Sequence, residues 1–248
     1  MTLPPPPLIC AVTAGASSGS ALLRHHLDAL IAAGVDLIQI REPHLPDAEL
    51  FELVRAAMTR ARGTSTRIVV NDRLDVARAA GADGVHLKAS SVPADRVRAL
   101  APRPFLIGRS VHDAAEAARA AGEGSVDYLI FGTLFQTTSK PEDHPLTGLS
   151  GLRAAAAAAS PVPVLGIGGV TLDRIRDVAL TGASGIAAIG LFALPSPAID
   201  SSTDLSADMS VDSSIESPAE VAAARLRDIV RHIRAIWTTR TTPATGDR

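Results

Sequence analysis

Eight short apolar runs, each followed by a stretch of helical character, set the tightest limit on how this chain can fold. The runs are Leu8 to Val12, Val35 to Arg41, Arg67 to Val70, Gly84 to Leu87, Phe105 to Ile107, Tyr128 to Phe131, Val162 to Leu165 and Gly185 to Ile189. Between them lie segments rich in helix formers: Ala21 to Ala33, Asp47 to Arg60, Leu74 to Ala80, Ala94 to Leu100, Asp113 to Ala121, Leu149 to Ala159 and Leu172 to Leu180. Unbroken alternation of strand and helix calls for parallel strands joined by crossover helices. Eight such units favour a closed α/β barrel over an open doubly wound sheet. A length of 248 residues suits one barrel. Hydrophobic residues are 46% of the chain and aromatic residues 3%, so the core is expected to be built from Ala, Val, Leu and Ile.

The eighth helix arrives late. Residues 194–218 are rich in Ser, with Asp200, Asp204, Asp208, Asp212 and Glu216 and few large apolar side chains, and read as a disordered insertion. Only then does 219–237 supply an amphipathic helix, with Val221, Leu226, Ile229, Val230, Ile233 and Trp237 toward the core. One domain is expected, made of a barrel over about 8–193 plus that helix, with a frayed tail at 238–248. The insertion follows the eighth strand, at the ligand-binding rim of such a barrel, where it is a solvated spacer or a lid.

Charge narrows the function classes. With 24 basic and 26 acidic residues, the net charge of −2 gives no electrostatic case for nucleic acid or an anionic membrane. No run of about 18 apolar residues occurs, and the start lacks the pattern of a secretory signal. The single Cys10 fits a reducing compartment, and the expected location is cytoplasmic. A homo-oligomer is compatible with all of this.

If each strand offers its C-terminal end to one rim, a defined set of polar residues meets there: Gln39, Arg41, Asn71, Asp72, His86, Lys88, Arg109, Ser110, Thr137, Ser139 and Lys140. Cations outnumber carboxylates in that set, which favours small anionic ligands. Gly166-Ile167-Gly168-Gly169-Val170-Thr171 reads as strand, glycine turn and helix start, with Thr171 as N-cap. Together with Gly190 after the eighth strand, it takes the usual phosphate position of the fold. Thr137, Ser139 and Lys140 bring hydroxyls and an ammonium that could close over a phosphate.

These residues fall into an ordered set of motifs: Gln39-Ile40-Arg41-Glu42, Asn71-Asp72-Arg73, Ala82-Asp83-Gly84-Val85-His86-Leu87, Gly108-Arg109-Ser110-Val111-His112, Phe131-Gly132, Thr137-Thr138-Ser139-Lys140 and the glycine turn. From about Leu8 to Phe192 the set resembles the thiamine phosphate synthase/TenI superfamily. That resemblance implies a TIM barrel acting in thiamine biosynthesis, with thiazole phosphate and a pyrimidine pyrophosphate as small-molecule partners. It implies Gln39, Arg41 and Asn71 at the pyrimidine pyrophosphate and Ser110 at the reacting centre. Thr137, Ser139 and Lys140 would hold phosphate groups, with Gly168, Gly169 and Gly190 holding thiazole phosphate. Asp72 would bind Mg²⁺ in a synthase.

Departures from the pattern matter equally. The lysine that the resemblance implies two residues after Arg41 is Pro43, and Ser91 stands where a second metal carboxylate is implied. The losses fall on the pyrophosphate half, which resembles the TenI branch, whose thiazole tautomerase needs no metal. Lys88 or Arg109 would then take a substrate carboxylate. The TenI-type histidine after Phe131-Gly132 is Thr133, which leaves His86, His112 or His144 for proton transfer. The leading expectation is therefore a TenI-like tautomerase without a cofactor, with His86, His112 and Ser110 as catalytic candidates. The alternatives are a divergent Mg²⁺-using synthase and a non-catalytic thiazole phosphate sensor.

Overall fold

The protein is described by a computed structural model covering residues 3–13, 15, 20–137, 141, 145–194 and 218–240. Eight parallel strands close into a barrel in sequence order: β1 (Leu8–Val12), β2 (Leu37–Ile40), β3 (Arg67–Asn71), β4 (Gly84–Leu87), β5 (Leu106–Val111), β6 (Tyr128–Gly132), β7 (Val164–Ile167) and β8 (Gly185–Ala188). The ring closes where Leu8 to Ala11 of β1 pair with Gly185 to Ala188 of β8. Seven helices connect consecutive strands: α1 (Ser20–Ala33), α2 (Asp47–Ala61), α3 (Leu74–Ala79), α4 (Ala94–Leu100), α5 (Ala114–Gly122), α6 (Gly148–Ala158) and α7 (Ile175–Ala179). Helix α8 (Pro218–Arg240) packs against α1 and α7. This is the TIM-barrel architecture that the alternation predicts.

Strand periodicity divides the apolar residues into two layers. Leu8, Cys10, Leu37, Val69, Leu106, Tyr128, Ile130, Leu165 and Ala187 fill the barrel interior. Their neighbours one residue away, such as Ile9, Ile38, Ile68, Ile107 and Leu129, pack under the helices with the buried faces of α2 and α8. Cys10 is a fully buried core residue whose thiol burial pushes up to about 12.

Several boundaries differ from expectation. Strand β5 runs on to Val111, which places Gly108, Arg109 and Ser110 on the strand itself. The seventh helix divides into a 3-10 turn, Leu172–Arg174, and the short α7. Thr171 precedes that turn in an extended conformation, but its hydroxyl makes no capping bond there. Helix α8 takes in Thr238 to Arg240, residues expected in the tail, and the Thr238 and Thr239 hydroxyls bond back to the Arg234 and Ile236 carbonyls. The rest of the expected insertion and tail, 195–217 and 241–248, lies outside the described residues. Among the described residues, no helix is long and apolar enough to cross a membrane.

Candidate active site at the C-terminal mouth of the barrel

Alternation along β2 buries Ile38 and Ile40 under the helices and turns Gln39 inward, where it is 4% exposed. Its amide nitrogen donates to Asn71 Oδ1 at 2.9 Å. Its Oε1 is buried with no hydrogen-bond partner. A buried acceptor left open is costly in a free protein, so this atom marks where a ligand donor would fit. The next inward position, Arg41, is exposed, and its guanidinium has no partner among the described residues.

Inside the barrel, the inward residues His86 of β4, Ser110 of β5 and Tyr128 of β6 form one chain of hydrogen bonds. The His86 ring spans Tyr128 Oη, 3.2 Å from Nδ1, and Ser110 Oγ, 2.9 Å from Nε2. Glycine at 108 makes the cluster feasible, because a Cβ there would collide with both the Tyr128 ring and His86 Nδ1. Tyr128 is fully buried and has one partner for its hydroxyl proton, His86 Nδ1. That satisfaction argument fixes the tautomer: Tyr128 donates to Nδ1, Nε2–H donates to Ser110 Oγ, and the Ser110 proton remains available to a ligand. Burial lowers the His86 pKa to about 3, against a weak opposing pull from Asp72. His86 is thus neutral at physiological pH and positions Ser110.

His112 lies just beyond β5, exposed, and its Nδ1 bonds to the Gly132 carbonyl at 2.8 Å. This ties the ends of β5 and β6 together and leaves Nε2 without a partner among the described residues. Thr133 is buried, and its carbonyl accepts from the Thr147 amide and hydroxyl.

Beside Asn71, Asp72 leaves β3 with φ +61, a left-handed conformation that Asp tolerates better than most residues. Its carboxylate meets the Lys88 ammonium at 2.6 Å and accepts a short hydrogen bond from Ser91 Oγ. Ser91 Oγ in turn accepts from the Lys88 amide at 2.9 Å, so the three residues form a closed cluster at the ends of β3 and β4. Partial burial opposes the charge on Asp72, but the bonds from Lys88 and Ser91 and the Lys88 charge together outweigh it and lower its pKa.

Arg109 is not at the mouth. It shares its strand face with Ile107 and Val111, whose side chains face the helices, and its guanidinium binds the Ala89 and Val92 carbonyls. There it lines a cleft of about 160 Å³ between the β4–α4 loop and α5, outside the ring of strands. Two adjacent residues on one strand cannot both face the barrel axis, and Ser110 holds the inward place.

The glycine turn shows why its residues are glycines. Gly168 and Gly169 have φ +102 and +61, and a Cβ on either would strike residues 133–136 of the β6–α6 loop. Leu134 and Phe135 bond through their amides to the carbonyls of Ile167 and Gly168. Arg174 completes the clamp, donating to the Gly169 carbonyl at 2.9 Å with its guanidinium 4.5 Å from the Phe135 ring centre. Sequence reasoning missed this residue's part, since its pairing depends on a loop folded against it. The amides of Gly169 and Gly190 have no acceptor among the described residues, and the space around the Gly190 Cα is open. These groups sit beyond β7 and β8, where barrels of this fold hold phosphate. Thr137 is half-buried farther along the same loop, while Ser139, Lys140 and His144 lie outside the described residues.

Known proteins resemble this chain in both sequence and fold. A family profile described as thiamine monophosphate synthase matches residues 9–192. The thiamine-phosphate synthase of Methanoregula boonei is 46% identical over 147 residues, covering 59% of this chain and 67% of that protein. That of Methanoculleus marisnigri is 44% identical over 147 residues, covering 59% and 69%. Among solved structures, thiamine phosphate pyrophosphorylase from Pyrococcus furiosus superposes with a TM-score of 0.69 at 28% identity, over 91% of this chain and 96% of that one. The relatives are named as synthases, which favours the synthase alternative over the tautomerase that led the sequence-based expectations. By its barrel, its ordered rim motifs and the profile match, the chain belongs to the thiamine monophosphate synthase family.

Proposed function

We propose that the protein joins hydroxymethylpyrimidine pyrophosphate to thiazole phosphate, forming thiamine phosphate as its named relatives do. The observation that carries this reading is the buried, partnerless Gln39 Oε1 beside Asn71, an acceptor and a half-exposed amide side by side. That arrangement suits the edge of an aminopyrimidine, which offers both donor and acceptor. Ser110, its proton freed by the His86 tautomer, would donate to the same ligand. The amides of Gly169 and Gly190 on the far side of the mouth suit the thiazole phosphate, and Thr137, Ser139 and Lys140 would add to its hold.

The chemistry is a substitution at carbon. The thiazole nitrogen gives its electron pair to the pyrimidine methylene, and the bond from that carbon to the pyrophosphate oxygen breaks with its pair going to oxygen. The mouth must hold the two partners in line and absorb the charge that develops on the leaving group.

Magnesium is implied by the family, and Asp72 is the one candidate ligand that the sequence offers. The donor set at Asp72 does not fit a resident divalent ion. It comprises one carboxylate, one hydroxyl and an ammonium already paired with that carboxylate. Among the described residues, no three His, Cys, Asp or Glu side chains gather in a metal-binding group. No step is therefore assigned to a protein-bound ion.

A second reading, thiazole tautomerase, draws on the same donor set and on the open Nε2 of His112. Product analysis with both substrates decides between them. Thiamine phosphate formation supports the synthase, aromatisation of the thiazole tautomer supports the other, and binding without either leaves a sensor.

A further inference from the structure

We propose that Lys88 is a built-in counterion for the leaving pyrophosphate, held by Asp72 and Ser91 in the place where a divalent ion would otherwise be bound. The inference rests on the synthase reading for the identity of the leaving group, and on the Asp72–Lys88–Ser91 cluster for its geometry. Three features of that cluster support it.

The first is charge. One ammonium beside one carboxylate sums to zero, the same balance that two carboxylates strike with a divalent ion. A serine at 91 and a lysine at 88 thus change the kind of cation without changing the net charge of the site. The second is donor supply. An ammonium has three N–H donors, and Asp72 Oδ2 engages one of them at 2.6 Å. With the Lys88 side chain 57% exposed at the rim, the remaining donors are free to meet phosphate oxygens. The third is fixation. Ser91 Oγ donates to Asp72 Oδ1 and accepts from the Lys88 amide, tying the anchoring carboxylate to the backbone that carries the lysine. A flexible point charge is thereby given a defined place, which reduces the entropy lost when a phosphate docks.

The location also fits. Asp72 follows Asn71, whose amide oxygen receives Gln39 Nε2, so the cluster adjoins the proposed pyrimidine edge. The Arg41 guanidinium, unpartnered among the described residues, extends from the neighbouring β2 and would supply a second cation. As the carbon–oxygen bond breaks, the departing pyrophosphate gains one negative charge, and the Lys88 donors strengthen their bonds to it with no proton transferred.

The test combines binding and activity. In metal-free buffer, the wild-type protein should bind inorganic pyrophosphate, and Lys88→Met should weaken that binding by about tenfold or more, whereas Lys88→Arg should keep it within about threefold. Mn²⁺ titrated by electron paramagnetic resonance should show no wild-type site tighter than ~1 mM, and Lys88→Ala combined with Ser91→Asp should create one. Circular dichroism checks that each variant is folded. A wild-type Mn²⁺ site abolished by Asp72→Asn, or unchanged pyrophosphate binding in Lys88→Met, overturns the proposal. Failure of the double variant to gain the ion overturns the assignment of those two residues. If the titrations turn out as expected and no thiamine phosphate forms under any metal condition, the synthase reading falls while Lys88 stands as a pyrophosphate-binding cation.

Discussion

Two inward-facing residues tie stability to function at the scale of single side chains. Gln39 Oε1 is buried without a partner in the free protein, a penalty of about 1–3 kcal/mol. Gln39→Leu removes that orphan, so denaturant unfolding should find the variant as stable as the wild type or more so. Its affinity for the pyrimidine substrate should fall at least about tenfold. Loss of both together would mean that the amide holds the barrel rather than a ligand. His86 gives a pH dependence whose sign follows from burial. Its folded pKa, about 3, lies below the ordinary value of 6.5. Above 6.5 neither state is protonated and the group is silent. As pH falls below 6.5, the unfolded chain gains a proton that the native state refuses, and stability drops until the pH nears 3. Between pH 7 and 5 the wild type should lose about 2 kcal/mol more than His86→Gln in urea melts. Equal losses would show that His86 takes up its proton in the fold. The alternation that places Gln39 and His86 inward was legible in the sequence, and along β5 the same count puts Ser110 inward and Arg109 outward. The apolar run ends at Ile107, so the sequence does not show that the strand, and with it the alternation, continues to Val111. The tautomer was not legible, because it depends on Tyr128 lying beside His86 across a gap that Gly108 leaves open.

Beyond β7 and β8, Gly169 is required by the fold as well as by the proposed phosphate site, whereas Gly190 is required only by the proposed site. Gly169 adopts φ +61 against the β6–α6 loop, with no room for a side chain, whereas Gly190 faces open space. Gly169→Ala should cost about 2 kcal/mol or more in thermal or denaturant unfolding, from left-handed backbone strain together with displacement of the loop. Gly190→Ala should unfold like the wild type, within about 0.5 kcal/mol, yet bind thiazole phosphate more weakly. Normal affinity in Gly190→Ala would remove that glycine from the phosphate site. The sequence showed a glycine turn after an apolar run, enough to locate a corner. It could not show what fills the space against that corner, since Leu134, Phe135 and Arg174 are brought there by the fold. The same limit explains the seventh helix. Its apolar spacing marks a helical stretch, but a 3-10 turn and an α-helix share such spacing over so few residues.

Taken whole, the molecule has its candidate site at one end of the barrel and a repeated fastening at the other. Asp36, Asp83 and Asp127 each immediately precede or begin the approach to β2, β4 and β6, and each carboxylate accepts the backbone amide of the strand before it: Ile9, Ile68 and Ile107, at 2.8, 2.8 and 2.7 Å. Each also meets arginine, Arg234 of α8 for Asp36, Arg67 for Asp83, and Arg98 with Arg103 for Asp127. The sequence displays these aspartates in a recurring pattern behind small residues, which reads as a helix end returning to the sheet. Their bonding across strand pairs β1–β2, β3–β4 and β5–β6 appears only once the ring is closed. The Asp36–Arg234 pair further explains how α8 completes the barrel after a long detour in sequence: its arginine reaches the base of β2 and the Gly34 carbonyl. Asp127 is the strongest case, because its carboxylate joins the Ile107 amide, at 2.7 Å, to the largely buried Arg98, at 2.5 Å. Asp127→Ala leaves the Ile107 amide without its carboxylate acceptor and deprives Arg98 of its counter-charge, although that guanidinium keeps its bonds to the Ser125, Ala101 and Phe105 carbonyls, and should destabilise the protein by about 3 kcal/mol. Since the aspartate lies at the end of β6 opposite the mouth, the folded fraction should retain wild-type activity per molecule and wild-type pyrophosphate affinity. Unfolding curves paired with activity measured well below the melting temperature check both statements. A variant that melts normally would show that the carboxylate is not a fastening, and one that stays folded but inactive would show that the two ends of the barrel are coupled.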